Sequence, residues 1–585
     1  MQPNRHIDWF FSYPNFSHRM ILSIVNRIYK HCAIVFIGCL VLGCSVPEQH
    51  DSVPINILIL SGQNNHEWKK TTAALEKMYR NKAGFVVALT EDPEGLTYKE
   101  LKGYDVVVGN WNNWPDNDKK MDPALEESFK KYVEEGGGIV FFHAGASSYY
   151  DSDIYHQIGI GRWGEGTSHG KLTMGHVVEF DQEHPVTRGL NDFFVLDELW
   201  ENTDVYPGAK VLARVRGHDE DDGHEINENA VFVNEMGRGR CFYTLLGHNE
   251  RVLFNTGMQT LLLRATEWVS TGRVTQEIPQ DLKKTLDLAE DAYAWEETDT
   301  CLRLFNRENL VWQYNFRNRF GKPYFHPIYL KNSRITCESP TDHVWHYGLW
   351  FSWKFINGLN YWEYSNEFMS EETGYKSEGI TDIDHIQFKK HPDHSTDIVL
   401  DIIYHPEDGD PILREKRKIY VSVPDEKSEY YFDYEHHFIA EYGDIILDRT
   451  PILGEPDGKS WGGYGGLSIR FNQDLSNPGT IPNYPPPTPP DYPKNDWFFM
   501  RFNSLRGEKV GVVMFQHPDY TTESTRWYFI INPEQPFFFF SPAALYDRKI
   551  ELKRGDSLIL KYRVWILSET DEDILAEKYH HYIYN

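Results

Sequence analysis

The feature that most constrains the fold is a change in the hydrophobic pattern near residue 272. Before it, continuous apolar runs alternate with helical stretches. After about residue 298, many short apolar runs are separated by Gly, Pro, Asn and Asp. The first pattern predicts a parallel sheet covered by helices on both faces, and the second predicts an antiparallel β-sandwich. The chain therefore holds two domains of different classes.

The length agrees with this division, because 585 residues are too many for a single hydrophobic core. The predicted organisation is a targeting segment at 1–44, a tether at 45–53, an α/β domain at 54–272, a linker at 273–297, a β-sandwich domain at 298–572 and a C-terminal tail at 573–585.

The N-terminus carries a targeting signal. Arg27 and Lys30 precede an apolar run at 33–42, which is too short to span a bilayer and is typical of a signal peptide. The following Val41-Leu-Gly-Cys44 resembles a bacterial lipobox, in which the cysteine is lipidated. This predicts a protein anchored in the cell envelope by a lipid at Cys44. The alternative is a plain secretory signal with an incidental cysteine.

Charge and cysteine content exclude two classes of protein. Asp plus Glu total 87 against 59 Lys plus Arg, a formal charge of −28 that disfavours binding to nucleic acid. Two of the six cysteines leave with the signal and Cys44 takes the lipid. Three cysteines remain, Cys241, Cys301 and Cys337. Because their number is odd, we expect them to be buried apolar side chains and not a disulfide framework.

In the first half, polar residues follow the predicted strands. The strands are expected at 54–60, 85–89, 104–109 and 138–143, with helices at 68–80 and 123–135. Ligands of parallel sheets bind at the carboxyl ends of the strands. The residues that fall there are Gly62–His66, Asn110–Asn113 and His143–Gly145.

The motifs of this half resemble the ThuA-like (trehalose utilisation) family. They are Ser61-Gly62, His66-Glu-Trp68, Gly137–Gly145, His184–Leu190, Asp197–Trp200 and Gly237–Asn249. The resemblance implies a flavodoxin-like sheet similar to class I glutamine amidotransferases, and action on oxidised disaccharides such as 3-keto-trehalose. Those amidotransferases carry a cysteine nucleophile at a strand end where this chain has His143-Ala-Gly. Thiolate chemistry is therefore not supported.

The remaining polar residues of the first half are candidates for metal ligation or proton transfer: His66, His143, His184, Glu198 and His248. We predict catalytic roles for His66 and His143, and binding roles for Glu198 and His248. For His184 a turn is an alternative role, and for His248 a strand cap. A divalent metal is a candidate cofactor of unknown identity. The acidic run 219–225 lacks the spacing of a calcium loop and is expected to be solvated.

In the second half, residues 342–351 combine two histidines with aromatic residues. His343 and His346 lie three apart, between Pro340 and Gly348. On a strand they would face opposite sides, whereas on a loop they can converge. Histidine suits proton transfer near neutral pH, and aromatic rings pack on the apolar faces of sugars. We therefore predict a sugar-facing pocket here, separate from the site of the first domain.

Three motifs of this half resemble a family that carries the label methane oxygenase PmoA: Lys322–Pro327, Ser339–Phe351 and Gly462–Phe471. The label fits poorly, because the chain has a signal and a β domain but no run of membrane spans. The overall pattern is closer to the galactose-mutarotase-like supersandwich. Predicted catalytic residues are His326, His343, His346, Glu415 and His517. Predicted binding residues are Asp342, Trp345, Trp350 and Arg470.

Together these features predict an envelope lipoprotein that acts on carbohydrate. Histidine–carboxylate chemistry would serve proton transfer on a glycoside or keto-sugar. Two alternatives stay open: a glycan-binding lipoprotein without catalysis, and a metal-dependent hydrolase. The expected partners are a carbohydrate and, through the lipid at Cys44, the membrane; nucleic acid is not expected.

Overall fold

The structure, a computed structural model, describes residues 54–283, 292–316, 322–363, 378–484, 491–520 and 526–584. The predicted targeting segment with Cys44, the tether, part of the linker and the centre of the proline-rich run after Tyr484 lie outside the described residues. No helix in the described part of the chain is long and apolar enough to cross a membrane.

The α/β half is built on a nine-stranded mixed sheet. Its main strands are β1 (Ile55–Leu60), β2 (Phe85–Thr90), β3 (Val106–Gly109), β4 (Gly138–Phe142), β7 (Thr173–Val178), β8 (Phe193–Asp197), β11 (Lys210–His218), β12 (Glu225–Met236) and β13 (Gly239–Thr244), in the order β2-β1-β3-β4-β13-β12-β11-β7-β8. Short two-residue strands complete it: β5 (Gly161–Arg162), β6 (Ser168–His169), β9 (Trp200–Glu201) and β10 (Asp204–Val205).

The first five strands of this order are parallel, and the other four extend the sheet in antiparallel pairs. β1, β3 and β4 are almost fully buried because helices cover both faces, which explains their continuous apolar sequence. The predicted parallel sheet is confirmed. Its antiparallel extension did not stand out in the sequence, since strands such as β11 and β12 mix buried and exposed positions.

Six helices belong to this half: α1 (Trp68–Arg80), α2 (Tyr98–Leu101), α3 (Pro123–Glu134), α4 (Asp153–Gly159), α5 (Glu250–Phe254) and α6 (Thr256–Thr271). Local signals set several of their ends. The Asp122 carboxylate accepts from the amide of Ala124 at 2.8 Å and caps α3, with Pro123 in the first position. Asn249 and Asn255 cap α5 and α6 in the same way.

The second half is almost entirely antiparallel β structure. One large sheet contains β14 (Tyr293–Glu297), β15 (Cys301–Asn306), β16 (Asn309–Asn315), β17 (Tyr324–Leu330), β18 (Ser333–Arg334), β19 (Leu349–Ser352), β27 (Gly466–Arg470), β31 (Arg526–Asn532) and β32 (Phe537–Ala543). The second contains β22 (Gly379–Lys390), β23 (Thr396–Pro406), β24 (Leu413–Val421), β25 (Tyr430–Ile439), β28 (Ser476–Ile481), β29 (Trp497–Asn503), β30 (Lys509–Gln516) and β34 (Ser557–Leu567).

A four-stranded sheet completes this half: β20 (Phe355–Ile356), β21 (Leu359–Asn360), β26 (Ile445–Asp448) and β33 (Ile550–Leu552). The inner faces of the two large sheets share one core rich in aromatic side chains. Along β24 and β25 burial alternates residue by residue, as expected for strands with one face in a core. The predicted antiparallel sandwich is confirmed. The last residues, predicted as a tail, form helix α7 (Glu572–Tyr584), whose Tyr579 packs on Phe515.

Buried polar contacts join the two halves. The Asp474 carboxylate accepts from the Thr256 amide at 2.9 Å and from its hydroxyl at 2.6 Å, at the start of α6. Arg334 reaches both Asp474 and Asp281, at 3.4 and 3.7 Å. The Phe194 amide also donates to the Leu505 carbonyl at 2.8 Å. These contacts hold α5 and α6 against the loops of the second half.

Candidate functional site

A cluster of three histidines and one glutamate lies in the α/β half. His66, His143, His248 and Glu198 each offer one ligand atom, and these atoms all lie within 4.8 Å of one another. The ring centroid of His66 lies 4.8 Å from that of His143 and 4.7 Å from that of His248. The structure thus brings together four of the five polar residues predicted for this half, and we call them the His3Glu cluster.

The carboxyl ends of β1 and β4 position the first two histidines. His66 ends the loop between β1 and α1, and its Nδ1 lies 2.9 Å from Oδ1 of Asn64. Asn112, which follows β3, donates to the same Asn64 oxygen at 3.1 Å. His143 directly follows β4 in a left-handed conformation with φ of 45°, an uncommon one for a residue with a side chain. This turn points its ring into the cluster rather than along the strand.

Glu198 and His248 follow two other strands of the sheet, β8 and β13. Glu198 follows β8, and the preceding Asp197 is fully buried. The Asp197 carboxylate accepts from the amides of Gly247 and His248 at 2.7 and 3.1 Å, which fixes the loop that carries His248. Trp200 donates its indole N–H to Glu198 at 3.2 Å. Buried hydrogen bonds of this kind hold side chains in one orientation.

Nitrogen atoms inside the cluster lack hydrogen-bond partners among the described residues. His143 is 2 % exposed and its Nδ1 lies 2.8 Å from the Leu245 carbonyl oxygen. A proton on Nδ1 leaves Nε2 as a bare acceptor, and this buried atom has no hydrogen-bond partner. Nδ1 of His248 is also buried without one, 3.2 Å from Glu198. A cation bound where these buried nitrogen atoms converge would satisfy them.

The electrostatics of the cluster favour a neutral His66 and an ionised Glu198, whereas burial lowers the pKa of His248 but Glu198 outweighs it and raises that pKa. Burial, together with the neighbouring His143 and His248, lowers the pKa of His66 to about 3. Burial would raise the pKa of Glu198, but His143 and His248 outweigh it and hold that pKa well below its usual range. An ionised carboxylate beside a neutral imidazole is the state in which both bind a metal.

Two residues beside the cluster were missed in the sequence. His169 pairs in the short strand β6 with β9, and its Nδ1 lies 3.3 Å from Glu198. The Trp200 ring lies 4.3 Å from His143 and 5.2 Å from Trp163. The strands that carry His169 and Trp200 have two residues each, too short for a periodic signal. Only the Asp197–Trp200 motif pointed to this region.

Two other groups of the α/β half lie apart from the cluster. His184 packs on Trp268 with ring centroids 4.7 Å apart, and burial lowers its pKa to about 4. It belongs to a turn, which was its alternative role. In the acidic run, Asp219, Asp222 and His224 also lie within 4.8 Å of one another. Asp222 and His224 are exposed, and the Asp219 carboxylate accepts from backbone amides of its own loop.

A large pocket lies between the two halves, with a volume of about 730 Å³. One wall is the α/β half, through a face of α1 that includes Lys70 and Lys77 and through α5. The other wall comes from the β half and is rich in aromatic side chains: Trp345, Trp362, Trp461, Tyr464, Tyr528, Phe537 and Phe539. We call this the interdomain pocket. The pocket predicted for the second domain therefore has one wall from the first domain. This wall was not predicted from the sequence.

His343 and His346 line the interdomain pocket together. Their ring centroids are 4.8 Å apart in a stacked arrangement, because the segment before Gly348 is a turn rather than a strand. His346 is 4 % exposed and stacks on Phe539 at 5.3 Å. Burial, with His343 nearby, holds the pKa of His346 well below its ordinary value. It is therefore a neutral imidazole whose Nδ1 has no hydrogen-bond partner among the described residues.

Asp342 and Arg470 form a pair behind the histidines. Arg470 is fully buried and donates to the Asp342 carboxylate at 2.7 Å. Its guanidinium also lies 3.6 Å from the Phe537 ring. Arg470 does not line the pocket but holds Asp342 at its wall. The predicted role of Arg470 in binding the ligand directly is therefore wrong.

A second buried pair, missed in the sequence, reaches the pocket. Glu363 accepts from Lys354 at 2.6 Å and from the Tyr464 hydroxyl at 3.2 Å. Lys322 donates to the carbonyl of Trp362, and burial lowers the pKa of this lysine to about 7. Trp350, a predicted binding residue, is 1 % exposed and packs beneath His346 at 5.0 Å without lining the pocket.

Glu415 lies in the core of the sandwich, away from this pocket. It is fully buried and its carboxylate pairs with Arg417 at 2.6 and 2.9 Å. Tyr404 and His436 contact the same carboxylate, at 2.5 and 2.8 Å. The ring of Phe351 lies against His436, whereas the adjacent Trp350 lies against His346. Neighbouring strand residues face opposite sides, so Glu415 and His346 are on opposite faces of the sheet.

The other two predicted histidines are also elsewhere. His326 lines a smaller cavity between the halves, of about 310 Å³, and contacts Thr336 at 3.0 Å. Burial lowers its pKa to about 3. His517 lies on a third cavity beside Lys561 and Tyr582. Of the residues predicted for the second domain, the structure gathers four on the interdomain pocket: Asp342, His343, Trp345 and His346.

Comparison with known protein families identifies both halves. Residues 56–269 match the model of the trehalose utilisation (ThuA) family, and residues 302–580 match a family of unknown function (DUF6807). The first half is therefore ThuA-like, which indicates a carbohydrate-related function at the level of the family. The second match carries no functional description. No curated protein matches the chain significantly.

Several solved structures are similar to part of the chain. A ThuA-like protein from Parabacteroides merdae is 27 % identical over 40 % of this chain and 95 % of its own, with a TM-score of 0.34. One from Bacteroides uniformis is 22 % identical over 39 % and 98 %, with a TM-score of 0.31. A glutamine amidotransferase from Thermotoga maritima is 14 % identical over 36 % and 98 %, with a TM-score of 0.24.

Proposed function

We propose that this protein is a divalent-metal-dependent enzyme that processes glycosides or keto-sugars, with its reaction centre at the His3Glu cluster. The observation that carries the proposal is the convergence of three imidazoles and one carboxylate, in which one buried nitrogen of His143 and one of His248 lack hydrogen-bond partners among the described residues. The carbohydrate class comes from the ThuA match of the same half.

The donor set favours a particular class of ion. Three nitrogen ligands and one carboxylate suit Zn²⁺ and similar transition-metal ions, whereas Ca²⁺ and Mg²⁺ prefer sites of oxygen ligands. The neighbouring hydrogen bonds fit this reading. The Nδ1 contacts of His66 with Asn64 and of His143 with Leu245 leave each Nε2 available to the cluster. Metal-binding histidines usually have their second ring nitrogen held in this way.

The residues around the cluster suggest how it would act. A divalent ion there would polarise a sugar carbonyl or hydroxyl oxygen and make a nearby water molecule more acidic. Trp163 is half-buried and packs on the buried Trp200, so its ring is an aromatic face near the cluster on which a sugar can pack. His169 is exposed and contacts Glu198, so it is placed to exchange a proton with a sugar hydroxyl.

Metal content is the direct test. Protein purified without chelator, then loaded with Zn²⁺, Mn²⁺ or Co²⁺ and desalted, is expected to hold one equivalent of ion per chain by elemental analysis. The double variant His143→Gln/Glu198→Gln should hold less than about a tenth of that, because it loses two of four ligands. His184→Gln removes a histidine of the same domain outside the cluster and should bind as the wild type does. Equal metal content in the double variant and the wild type would refute the centre.

An envelope location is part of the same proposal. It rests on the signal-like run at 33–42 and the lipobox-like Val41–Cys44. Mass spectrometry of the mature protein from bacterial membranes is expected to show a lipid-modified cysteine at position 44. A mature N-terminus at another residue, or recovery of unmodified protein from the soluble fraction, would remove the lipid anchor from the proposal.

The interdomain pocket favours a second candidate, a glycan-binding protein without catalysis. Its aromatic wall and paired carboxylates suit sugar binding whether or not a reaction follows. The two candidates differ in one result, since only the enzyme forms product from a panel of glycosides and their 3-keto derivatives.

A further inference from the structure

We propose that the interdomain pocket is a binding site for an uncharged saccharide of two or more units, distinct from the His3Glu cluster. The proposal rests on the carbohydrate class of the proposed function but not on its metal chemistry. None of the four residues of the His3Glu cluster lines this pocket, so the two sites can be tested separately.

The size and the apolar wall fit such a ligand. A volume of about 730 Å³ lies within the usual range for pockets that enclose small organic ligands, about 300 to 1,000 Å³. Trp461 is 48 % exposed, and its ring centroid lies 6.3 Å from that of Tyr464. Contiguous apolar patches rimmed by polar residues mark binding surfaces, whereas single exposed apolar residues do not. Trp461 belongs to such a patch, because it lines the pocket together with the other aromatic side chains. Trp345 presents a second ring on the same wall.

The polar groups are arranged for neutral hydroxyl groups. Asp342 is paired with the buried Arg470, and Glu363 with the buried Lys354. A carboxylate whose charge is balanced from behind keeps lone pairs free to accept hydrogen bonds at the front. The neutral imidazole of His346 lies in the same wall, with its Nδ1 buried behind the surface. Hydroxyl groups of a saccharide can donate to these two carboxylates, whereas a ligand carboxylate has no hydrogen to donate to them. On the facing wall, Lys70 is already paired with Glu67 and Glu250.

The pocket exists only because the two halves are joined. Its α/β wall is formed by α1 and α5, which begin two residues after His66 and His248, respectively. Asp474 and Arg334 hold the start of α6 against the β half beside this wall. A saccharide in the pocket would therefore lie against the same two helices that follow His66 and His248 of the cluster.

Calorimetric titration of the full chain tests the proposal, with trehalose and maltotriose as neutral probes and cellobionate as an anionic one. The wild type is expected to bind at least one neutral probe, and cellobionate at least tenfold more weakly. Trp461→Ala and Trp345→Ala should each weaken binding of that probe about tenfold, or 1.4 kcal/mol. Tyr584→Ala, an exposed aromatic residue 71 % accessible on α7, should bind like the wild type.

The variants also separate this proposal from the metal centre. His143→Gln/Glu198→Gln is expected to bind the neutral probe like the wild type, because it leaves the pocket intact. Two results would overturn the proposal, whatever the metal analysis shows. One is unchanged affinity in both tryptophan variants. The other is no binding of either neutral probe at 50 mM, which is about a hundred times a Kd of 0.5 mM and therefore near saturation. Preference for cellobionate would overturn the uncharged ligand. Loss of binding in the cluster variant would place the saccharide at the cluster instead.

Discussion

Glu198→Gln is expected to reduce turnover of a glycoside or 3-keto-glycoside substrate by about 10³-fold, within the range associated with loss of one acid–base or charge-stabilising group. Glu198 is the sole carboxylate of the His3Glu cluster and contacts His248 at 3.2 Å and His143 at 3.6 Å. Glutamine keeps the shape of the side chain but removes the negative charge that offsets a bound cation. The measurement is kcat and kcat/KM from mass spectrometry of products over time.

A reduction in kcat with little change in KM would identify an effect on the reaction rather than on substrate binding. His184→Gln is the matched control, because His184 is half-buried in the same domain but packs on Trp268 outside the cluster. It should keep turnover within about twofold of the wild type. If Glu198→Gln turned over substrate at a rate within tenfold of the wild type, the cluster would not be the reaction centre.

Arg417→Met is expected to lower the free energy of unfolding of the β half by about 3 to 5 kcal/mol. Arg417 is 1 % exposed and balances the fully buried Glu415 through two hydrogen bonds. Methionine fills a similar volume but removes the positive charge that balances the carboxylate in the core, and leaves it only the contacts with Tyr404 and His436. Guanidinium denaturation followed by tryptophan fluorescence gives the size of the loss.

The double variant Glu415→Leu/Arg417→Met separates the unpaired charge from the change in packing. Replacing both members of a buried ion pair by apolar residues is often nearly neutral, so the double variant should recover most of the stability. An equal loss in the single and double variants would mean that packing, and not the unpaired carboxylate, sets the effect. Recovery would show that the loss in the single variant comes from the uncompensated charge of Glu415 in the core.

Much of the fold follows from local patterns. The apolar runs of β1, β3 and β4 are continuous because both faces of a parallel sheet are covered, and this pattern is readable along the chain. The alternating burial of β24 and β25 is likewise a property of neighbouring residues. The antiparallel extension of the first sheet was not predicted from the sequence. Its strands show neither a continuous apolar run nor a regular alternation of apolar and polar residues.

The two sites differ in how much of them was predictable. His66 and His143 were found because the carboxyl ends of parallel strands, here β1 and β4, lie at the same edge of a sheet. Glu198 and His248 were in the candidate set only through a motif, and His169 was missed. In the second half His343 and His346 were found as a pair, but Glu363, Trp461 and the wall from α1 were not. Glu415 and His517 are residue types that can transfer protons, but the structure places both of them away from the interdomain pocket.

The sequence by itself determined the class of each domain, the strand ends that carry His66 and His143, and the turn that lets His343 and His346 stack. These depend on periodicity and on neighbours within a few residues. The tertiary structure alone decided that Glu198 closes the His3Glu cluster, that Glu415 faces the core, and that α1 walls the interdomain pocket. Each of those depends on contacts between residues far apart in the chain, where the strand pairing and the packing of the two halves decide which side chains meet.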